Sequence, residues 1–217
     1  MTLARFAVLL ACVTLVPRAF GAELHAVIYD QTGKPLPNAV VVATPEDGGA
    51  PAAKSTVEIV DQIDKEFVPY VKAVRAGSYV KFPNKDDIRH HVYSFSPAKK
   101  FELPLYSGTP AQPVLFDKPG VVKLGCNIHD WMIAYIYVAE TPYFGKSEAG
   151  GRVELDSLPP GHYRVRVWHP LMQGTEDATV KRVELRDTGA SAVEWKLKLK
   201  AEFRPHRQPL PGEAGYR

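Results

Sequence analysis

The sequence predicts an all-β protein. Of its 217 residues 19 are prolines, and few stretches repeat apolar residues with the period of a helix. Short segments instead alternate apolar with polar residues, as half-buried strands do, and clusters of turn-forming residues separate them. The length suffices for one large domain or two small ones.

The first 21 residues predict a secretory signal. Arg5 precedes an apolar run over residues 6–16, and the small residues Ala19 and Gly21 place a cleavage point near Gly21. The run is too short to be a good membrane span. We therefore expect a periplasmic or secreted protein without stable membrane insertion.

Charge argues against nucleic acid as a partner. The formal net charge is +3, and two of the positive residues, Arg5 and Arg18, lie in the predicted signal. The mature chain would be about neutral, which also disfavours a polybasic membrane anchor.

Two separated groups of alternating segments flank the middle of the chain. A turn-rich stretch joins the two segments of the first group, 24–29 and 39–43. Leu158-Pro159-Pro160-Gly161 joins the first two segments of the second group, 153–155 and 163–167. The predicted strands are residues 24–29, 39–43, 153–155, 163–167, 180–185 and 193–199.

The first of these groups resembles the opening hairpin of small transthyretin-like domains, the carboxypeptidase regulatory type. The wording Asp…Gly-Lys-Pro-Leu…Ala-x-Val within residues 30–41 carries the resemblance. It implies a transthyretin-like β-sandwich split between residues 23–48 and 144–200, with a second domain inserted at 52–140. Exposed loop tips tolerate such insertions. One irregular β-domain is the alternative, and a disordered tail is expected over residues 201–217.

A strand–loop–strand segment inside the insertion carries three metal-binding side chains. Residues 121–124 and 133–138 are β-prone, and the loop between them contains Cys126, His129 and Met132. A thiolate, an imidazole and a thioether together suit copper better than zinc, calcium or magnesium. The only other cysteine, Cys12, lies in the predicted signal, so Cys126 of the exported chain cannot form an intramolecular disulfide. This favours a metal ligand over an inert thiol.

Residues 57–139 resemble a cupredoxin of the plastocyanin and pseudoazurin type. The matching words are Phe-x-Pro, Gly-x-x-Val-x-Phe-x-Asn, His-x-Val, Pro-Gly and Cys-x-x-His-x-x-Met. The resemblance implies a Greek-key β-sandwich that binds one copper ion through two histidines, a cysteine and a weak axial methionine. These ligands fall on His90, Cys126, His129 and Met132.

Strand alternation distinguishes the two adjacent histidines. Successive strand side chains point to opposite faces, so only one of His90 and His91 can face the metal without a bulge. The customary His-Asn-Val wording of the family makes His90 the ligand. His91 is then a supporting residue, or the alternative ligand.

The axial position has two candidates. The spacing from His129 to Met132 is shorter than in plastocyanin, so Met132 is either a long axial contact or a core residue. Glu102 either approaches the metal or pairs with the neighbouring Lys99 or Lys100.

Several further residues are weighed against these ligands. Asn127 and Asp130, in the loop itself, are supporting or alternative ligands, and Asp130 replaces the proline of a related His-Pro-Trp-Met wording. A second segment, His169-Pro170-Leu171-Met172, is interpreted as turn chemistry. The aromatic residues expected to pack around the metal are Tyr93, Phe95, Trp131, Tyr135 and Tyr137.

The predicted function is single-electron transfer by copper, which alternates between Cu(I) and Cu(II), towards a redox partner protein in the periplasm. The whole chain also resembles exported bacterial proteins labelled "methylamine utilization protein". No Ser-His-Asp order, phosphate loop or paired-carboxylate wording indicates catalysis, so we expect no enzyme. A copper-delivery module and a β-sandwich adaptor are the alternatives.

Overall fold

The computed structural model of the chain describes residues 21–48, 55–110, 112–187 and 189–201. Across these ranges the backbone forms strands and one short 3₁₀ turn, Glu176–Thr179, which confirms the all-β prediction. The signal and the tail predicted from the sequence lie, apart from Gly21 and Ala201, outside the described residues. No helix within these ranges has the length and apolar character needed to cross a bilayer.

Strand ends coincide with residues suited to turns. Asn38 and Gly33 adopt positive φ between the first two strands, where asparagine and glycine do so most readily. In chain order the strands are β1 (Ala22–Asp30), β2 (Val40–Pro45), β3 (Val57–Ile59), β4 (Asp61–Ile63), β5 (Glu66–Val68), β6 (Val71–Arg75), β7 (Ser78–Lys81), β8 (His90–Ser96), β9 (Lys99–Tyr106), β10 (Val114–Phe116), β11 (Gly120–Gly125), β12 (Ile133–Ala139), β13 (Phe144–Lys146), β14 (Arg152–Leu158), β15 (Gly161–Trp168), β16 (Lys181–Leu185) and β17 (Ala190–Leu197).

The outer sandwich consists of the two sheets formed by β1, β2 and β13–β17. In one sheet β1 lies between antiparallel β14 and parallel β17, and the order of the other is β13-β2-β15-β16. Alternate residues of β1, Leu24, Ala26 and Ile28, share one hydrophobic core with Val165 and Val167 of β15. The period of two seen in the sequence is therefore the period of burial.

The inserted sandwich consists of β3–β12. A three-stranded sheet, β10-β7-β3, faces a five-stranded sheet, β6-β12-β11-β8-β9, and β4 and β5 form a separate hairpin. The core between the sheets contains Phe82, Phe116, Val92, Leu124 and Ile136. The candidate metal residues come from the five-stranded sheet and its loops.

The two sandwiches pack against each other. Residues 40–43 of β2 are fully buried one after another, so this strand is covered on both faces. In β12, Ala134 and Ile136 belong to the core of the inserted sandwich, whereas Tyr137 and Ala139 belong to the outer core. The five-stranded sheet thus carries the outer sandwich on the face that points away from its own core.

A half-buried arginine joins the sandwiches at this contact. Arg166 of β15 donates hydrogen bonds to Glu140 at 2.7 Å, to Glu176 at 2.6 Å and to Thr44 at 3.0 Å, and Tyr137 donates to Glu176. Burial alone would lower the pKa of Arg166, but the bond to Glu140 and the surrounding oxygens raise it above its ordinary value. The guanidinium therefore stays charged and paired.

These contacts cross the domain boundary predicted from the sequence. Within the described ranges, strands of residues 52–140 pair only with one another, as do strands of 23–48 and 144–200. Packing does not follow the same division, because Val71 and Tyr137 of the insertion lie in the outer core. Independent folding of the two parts stays a prediction.

Candidate metal centre

The strand pair β11–β12 holds the cysteine-containing loop at its base. Gly125 pairs with Ile133, and the Met132 amide donates to the His129 carbonyl at 3.0 Å, which tightens the end of the loop. The Cys126 and Met132 side chains are buried. The loop thus turns its sulfur atoms inward.

His90 reaches the loop from the start of β8. This strand lies beside β11, with Tyr93 opposite Gly125, and the His90 side chain is fully buried. One donor atom each from His90, Cys126 and His129 lies within 4.8 Å of the other two. Two ligand atoms bound to one ion at about 2.0–2.3 Å lie roughly 3.5–4 Å apart, and the Cys126 Sγ to His129 Nδ1 distance is 4.0 Å.

The two ring nitrogens of His90 have different surroundings. Nε2 lies 2.6 Å from Asp86 Oδ2, whereas Nδ1 is buried and has no hydrogen-bond partner. A buried polar atom without a partner is rare in native proteins. A metal ion bound to this nitrogen would satisfy it, so the residues present fit a metal centre.

The electrostatics of the cluster favour neutral imidazole at His129. Burial lowers the pKa of His129, and the neighbouring His90 and Lys65 lower it further. The neutral imidazole is the form that binds a metal. A thiol beside two imidazoles is a donor set typical of copper sites.

His91 lies on the opposite face of β8, as alternation predicts. Its Nε2 lies 2.8 Å from Glu102 Oε1, and the Glu102 side chain is 67% exposed. The structure therefore brings neither His91 nor Glu102 into the cluster. The expected ion pair of Glu102 with Lys99 or Lys100 is replaced by this pair with His91.

The other predicted site residues are distributed around the loop. Met132 is in the core of the inserted sandwich and lines a cleft together with Cys126, and its axial contact stays a prediction. Asn127 and Asp130 are exposed, and Asp130 lies at the edge of the same cleft.

The aromatic shell expected around the metal is only partly present. Trp131 lies beside His129 with ring centroids 5.0 Å apart and the rings tilted by 48°. Tyr135 and Tyr137 instead contact Trp168 of the outer sandwich, and Phe95 is 77% exposed. The expectation was wrong for Tyr135 and Tyr137, because they lie on the face of the five-stranded sheet that the outer sandwich covers. Phe95 lines the cleft beside Cys126, but most of its side chain is in solvent.

Two side chains support the cluster, and sequence reasoning missed one of them, Asp86. Asp86 holds His90, and Trp131 Nε1 donates to the Lys65 carbonyl at 3.1 Å. Burial raises the pKa of Asp86, but hydrogen bonds from the Lys65 amide, His90 and the Asp64 amide outweigh it and hold that pKa below its ordinary value. The only signal for Asp86 is its position four residues before His90, and spacing in a loop does not determine geometry.

No family model and no curated protein matches the chain. Similar solved structures are a Cu-containing nitrite reductase from Thermus scotoductus SA-01, a purple cupredoxin from Nitrosopumilus maritimus and a pseudoazurin from Sinorhizobium meliltoi. Their identities are 26%, 19% and 23%, with TM-scores of 0.37, 0.34 and 0.32. The aligned parts cover 45%, 38% and 41% of this chain, and 25%, 99% and 77% of theirs. The chain thus spans about a quarter of the nitrite reductase, and part of it is similar to cupredoxins.

Proposed function

We propose that this chain is an exported protein that binds one copper ion and transfers single electrons. The observation that carries the proposal is the convergence of donor atoms from His90, Cys126 and His129, with the Nδ1 of His90 buried and unpartnered. A site with one cysteine, two histidines and a weak methionine is typical of copper electron carriers. Met132 is proposed as that methionine.

The surrounding structure suits this role because it holds the ligands in place. The Gly125–Ile133 pair closes the loop, and the hydrogen bond from Trp131 to Lys65 ties the loop to the β4–β5 hairpin. Ligands that are fixed in advance need little rearrangement when the charge at the site changes. Bound copper would supply the Cu(I)/Cu(II) couple.

The cluster is closest to solvent at one histidine. His90 is 0% and Cys126 3% exposed, whereas His129 is half-buried beside Ile128, which is 46% exposed. We propose that a periplasmic redox partner approaches at this edge, since electrons are exchanged most readily where the metal lies nearest the surface.

Spectroscopy of the full chain after loading with Cu(II) tests the proposal. We expect an intense visible band from thiolate-to-Cu(II) charge transfer and a Cu(II) EPR signal. Both should disappear with a mild reductant and return on reoxidation. Loss of copper to a chelator without reversible redox cycling would instead support a delivery module, and failure to retain copper would support an adaptor.

A further inference from the structure

The carboxylate of Asp86 connects His90 to the tip of the β4–β5 hairpin. Its Oδ2 lies 2.6 Å from His90 Nε2 and accepts a hydrogen bond from the Lys65 amide at 2.9 Å. Its Oδ1 accepts from the Asp64 amide at 2.7 Å. Three donors therefore converge on one side chain, which is 11% exposed.

The hairpin tip has a backbone conformation that depends on such a partner. Asp64 and Lys65 have φ angles of 54° and 61°, in the left-handed region that residues other than glycine rarely occupy. Two positive φ angles in succession are typical of a type I′ turn. Because both amides of this turn point at Asp86, the carboxylate stabilises the turn while it holds the histidine.

The loop that carries Asp86 is itself fixed. The Asp86 amide donates to Asn84 Oδ1 at 3.0 Å, and Asn84 Nδ2 donates to the carbonyls of Ile88 and Tyr106 at 2.8 and 2.9 Å. Asn84 is 5% exposed. The carboxylate is thus positioned by hydrogen bonds that do not involve the cluster.

We propose that Asp86 is a positioning residue that selects Nδ1 of His90 as the metal-binding nitrogen and favours Cu(II) over Cu(I). A carboxylate that accepts hydrogen bonds from two amides also accepts one from Nε2–H, so the imidazole keeps its proton on Nε2 and its lone pair on Nδ1. Its negative charge, transmitted through the imidazole, stabilises the more positive metal ion. This inference rests on the proposed copper function.

The adjacent histidine provides a matched control. His91 also has its Nε2 beside a carboxylate, Glu102, but that carboxylate is 67% exposed and its histidine lies outside the cluster. Water and salt screen an exposed charge much more than a buried one. Glu102→Gln removes the same charge from a carboxylate on the neighbouring strand β9, beside a histidine that lies outside the cluster.

The variant Asp86→Asn cannot satisfy the three donors. If its amide nitrogen replaces Oδ2, it opposes the Lys65 amide and forces His90 to accept at Nε2, which places the proton on Nδ1. If it replaces Oδ1, it opposes the Asp64 amide and opens the turn. Loss of such a supporting partner lowers metal affinity by about 10- to 100-fold.

The experiment measures Cu(II) affinity and reduction potential of the wild type, Asp86→Asn and Glu102→Gln. We expect Asp86→Asn to bind Cu(II) about 10- to 100-fold more weakly and to have a higher potential. A loss of affinity that is tenfold larger for Cu(II) than for Cu(I) raises the reduction potential by about 59 mV. Glu102→Gln should match the wild type. Equal values in all three proteins would overturn the inference.

A second measurement does not depend on copper or on folding of the variant. In metal-free wild type, nitrogen-15 NMR should show His90 protonated at Nε2 and bare at Nδ1, and the opposite tautomer would overturn the inference. If the wild type has no thiolate-to-Cu(II) band, the proposed function fails, while the tautomer still tests the role of Asp86.

Discussion

The chain contains two turns with the same His-x-x-Met spacing, one in each sandwich. In the inserted sandwich the Met132 amide donates to the His129 carbonyl at 3.0 Å, and in the outer sandwich the Met172 amide donates to the His169 carbonyl at 3.1 Å. Both methionine side chains are buried. By spacing, local backbone and methionine burial the two turns are equivalent.

Their histidines differ in what surrounds them. The His129 ring lies beside Cys126 and His90, whereas the His169 ring accepts from the Leu171 amide at 3.2 Å and bonds the Pro37 carbonyl. His169 has its ring nitrogens occupied by backbone, and no cluster of three donors includes it within the described ranges. A side chain from a distant strand, here β8, therefore makes the first of two similar turns a candidate metal site.

The largest effect is expected from Cys126, the thiol that lies beside His129 and has no counterpart beside His169 among the described residues. Cys126→Ser should abolish the intense visible band of the copper-loaded protein, because that band would arise from thiolate-to-Cu(II) charge transfer. His169→Ala should retain the band. Absorption spectra of both variants check this, and a band that survives in Cys126→Ser would remove the cysteine from the site.

The contribution of the distant strand is tested by its two histidines. His90→Ala should lower Cu(II) affinity at least as much as loss of a supporting residue does, about 10- to 100-fold, because it removes a donor atom. His91→Ala should change affinity little, since His91 faces away from the loop. Competition with a chelator measures both, and the reverse pattern would shift the ligand assignment by one residue.

The two methionines offer a smaller but well-matched comparison. Met132→Leu should keep copper and raise the reduction potential, since a weak axial thioether tunes the metal more than it binds it. Met172→Leu should leave the potential unchanged. Such swaps conserve volume and usually cost less than about 1.5 kcal/mol. Voltammetry distinguishes the variants, and an unchanged potential in Met132→Leu would make Met132 a packing residue.

The smallest effect concerns the pH dependence of stability in the second turn. Burial lowers the pKa of His169 to about 4, and the bond to the Pro37 carbonyl only partly offsets this. Since an unfolded histidine has a pKa of about 6.5, the unfolded state binds more protons between these values. The contribution of the neutral His169 to the free energy of unfolding is therefore fully present above pH 6.5. It decreases by up to about 3 kcal/mol as the pH falls towards 4.

His169→Asn keeps an acceptor for the Leu171 amide but does not titrate in this range. Urea unfolding of the metal-free protein at pH 7.5 and 4.5 should show a smaller loss of stability in the variant than in the wild type. An equal loss in both proteins would assign the acid sensitivity to other groups.

Local sequence patterns determined much of the fold and part of the site. The period of two in β1 and β15 indicates which side chains are buried, because neighbouring residues of a strand face opposite ways. The same rule separates His90 from His91. The loop with Cys126 and His129 is recognisable because its donors lie three residues apart between two strands.

The tertiary structure decided which side chains from separate segments meet. Asp86 contacts His90 directly and binds the tip of the β4–β5 hairpin, which no spacing reveals. Glu102 pairs with His91 rather than with its lysine neighbours. Phe95 is exposed and Tyr137 is buried because the outer sandwich covers only one part of the five-stranded sheet. Alternation defines the face on which a side chain lies, but sheet order and packing determine what that face meets.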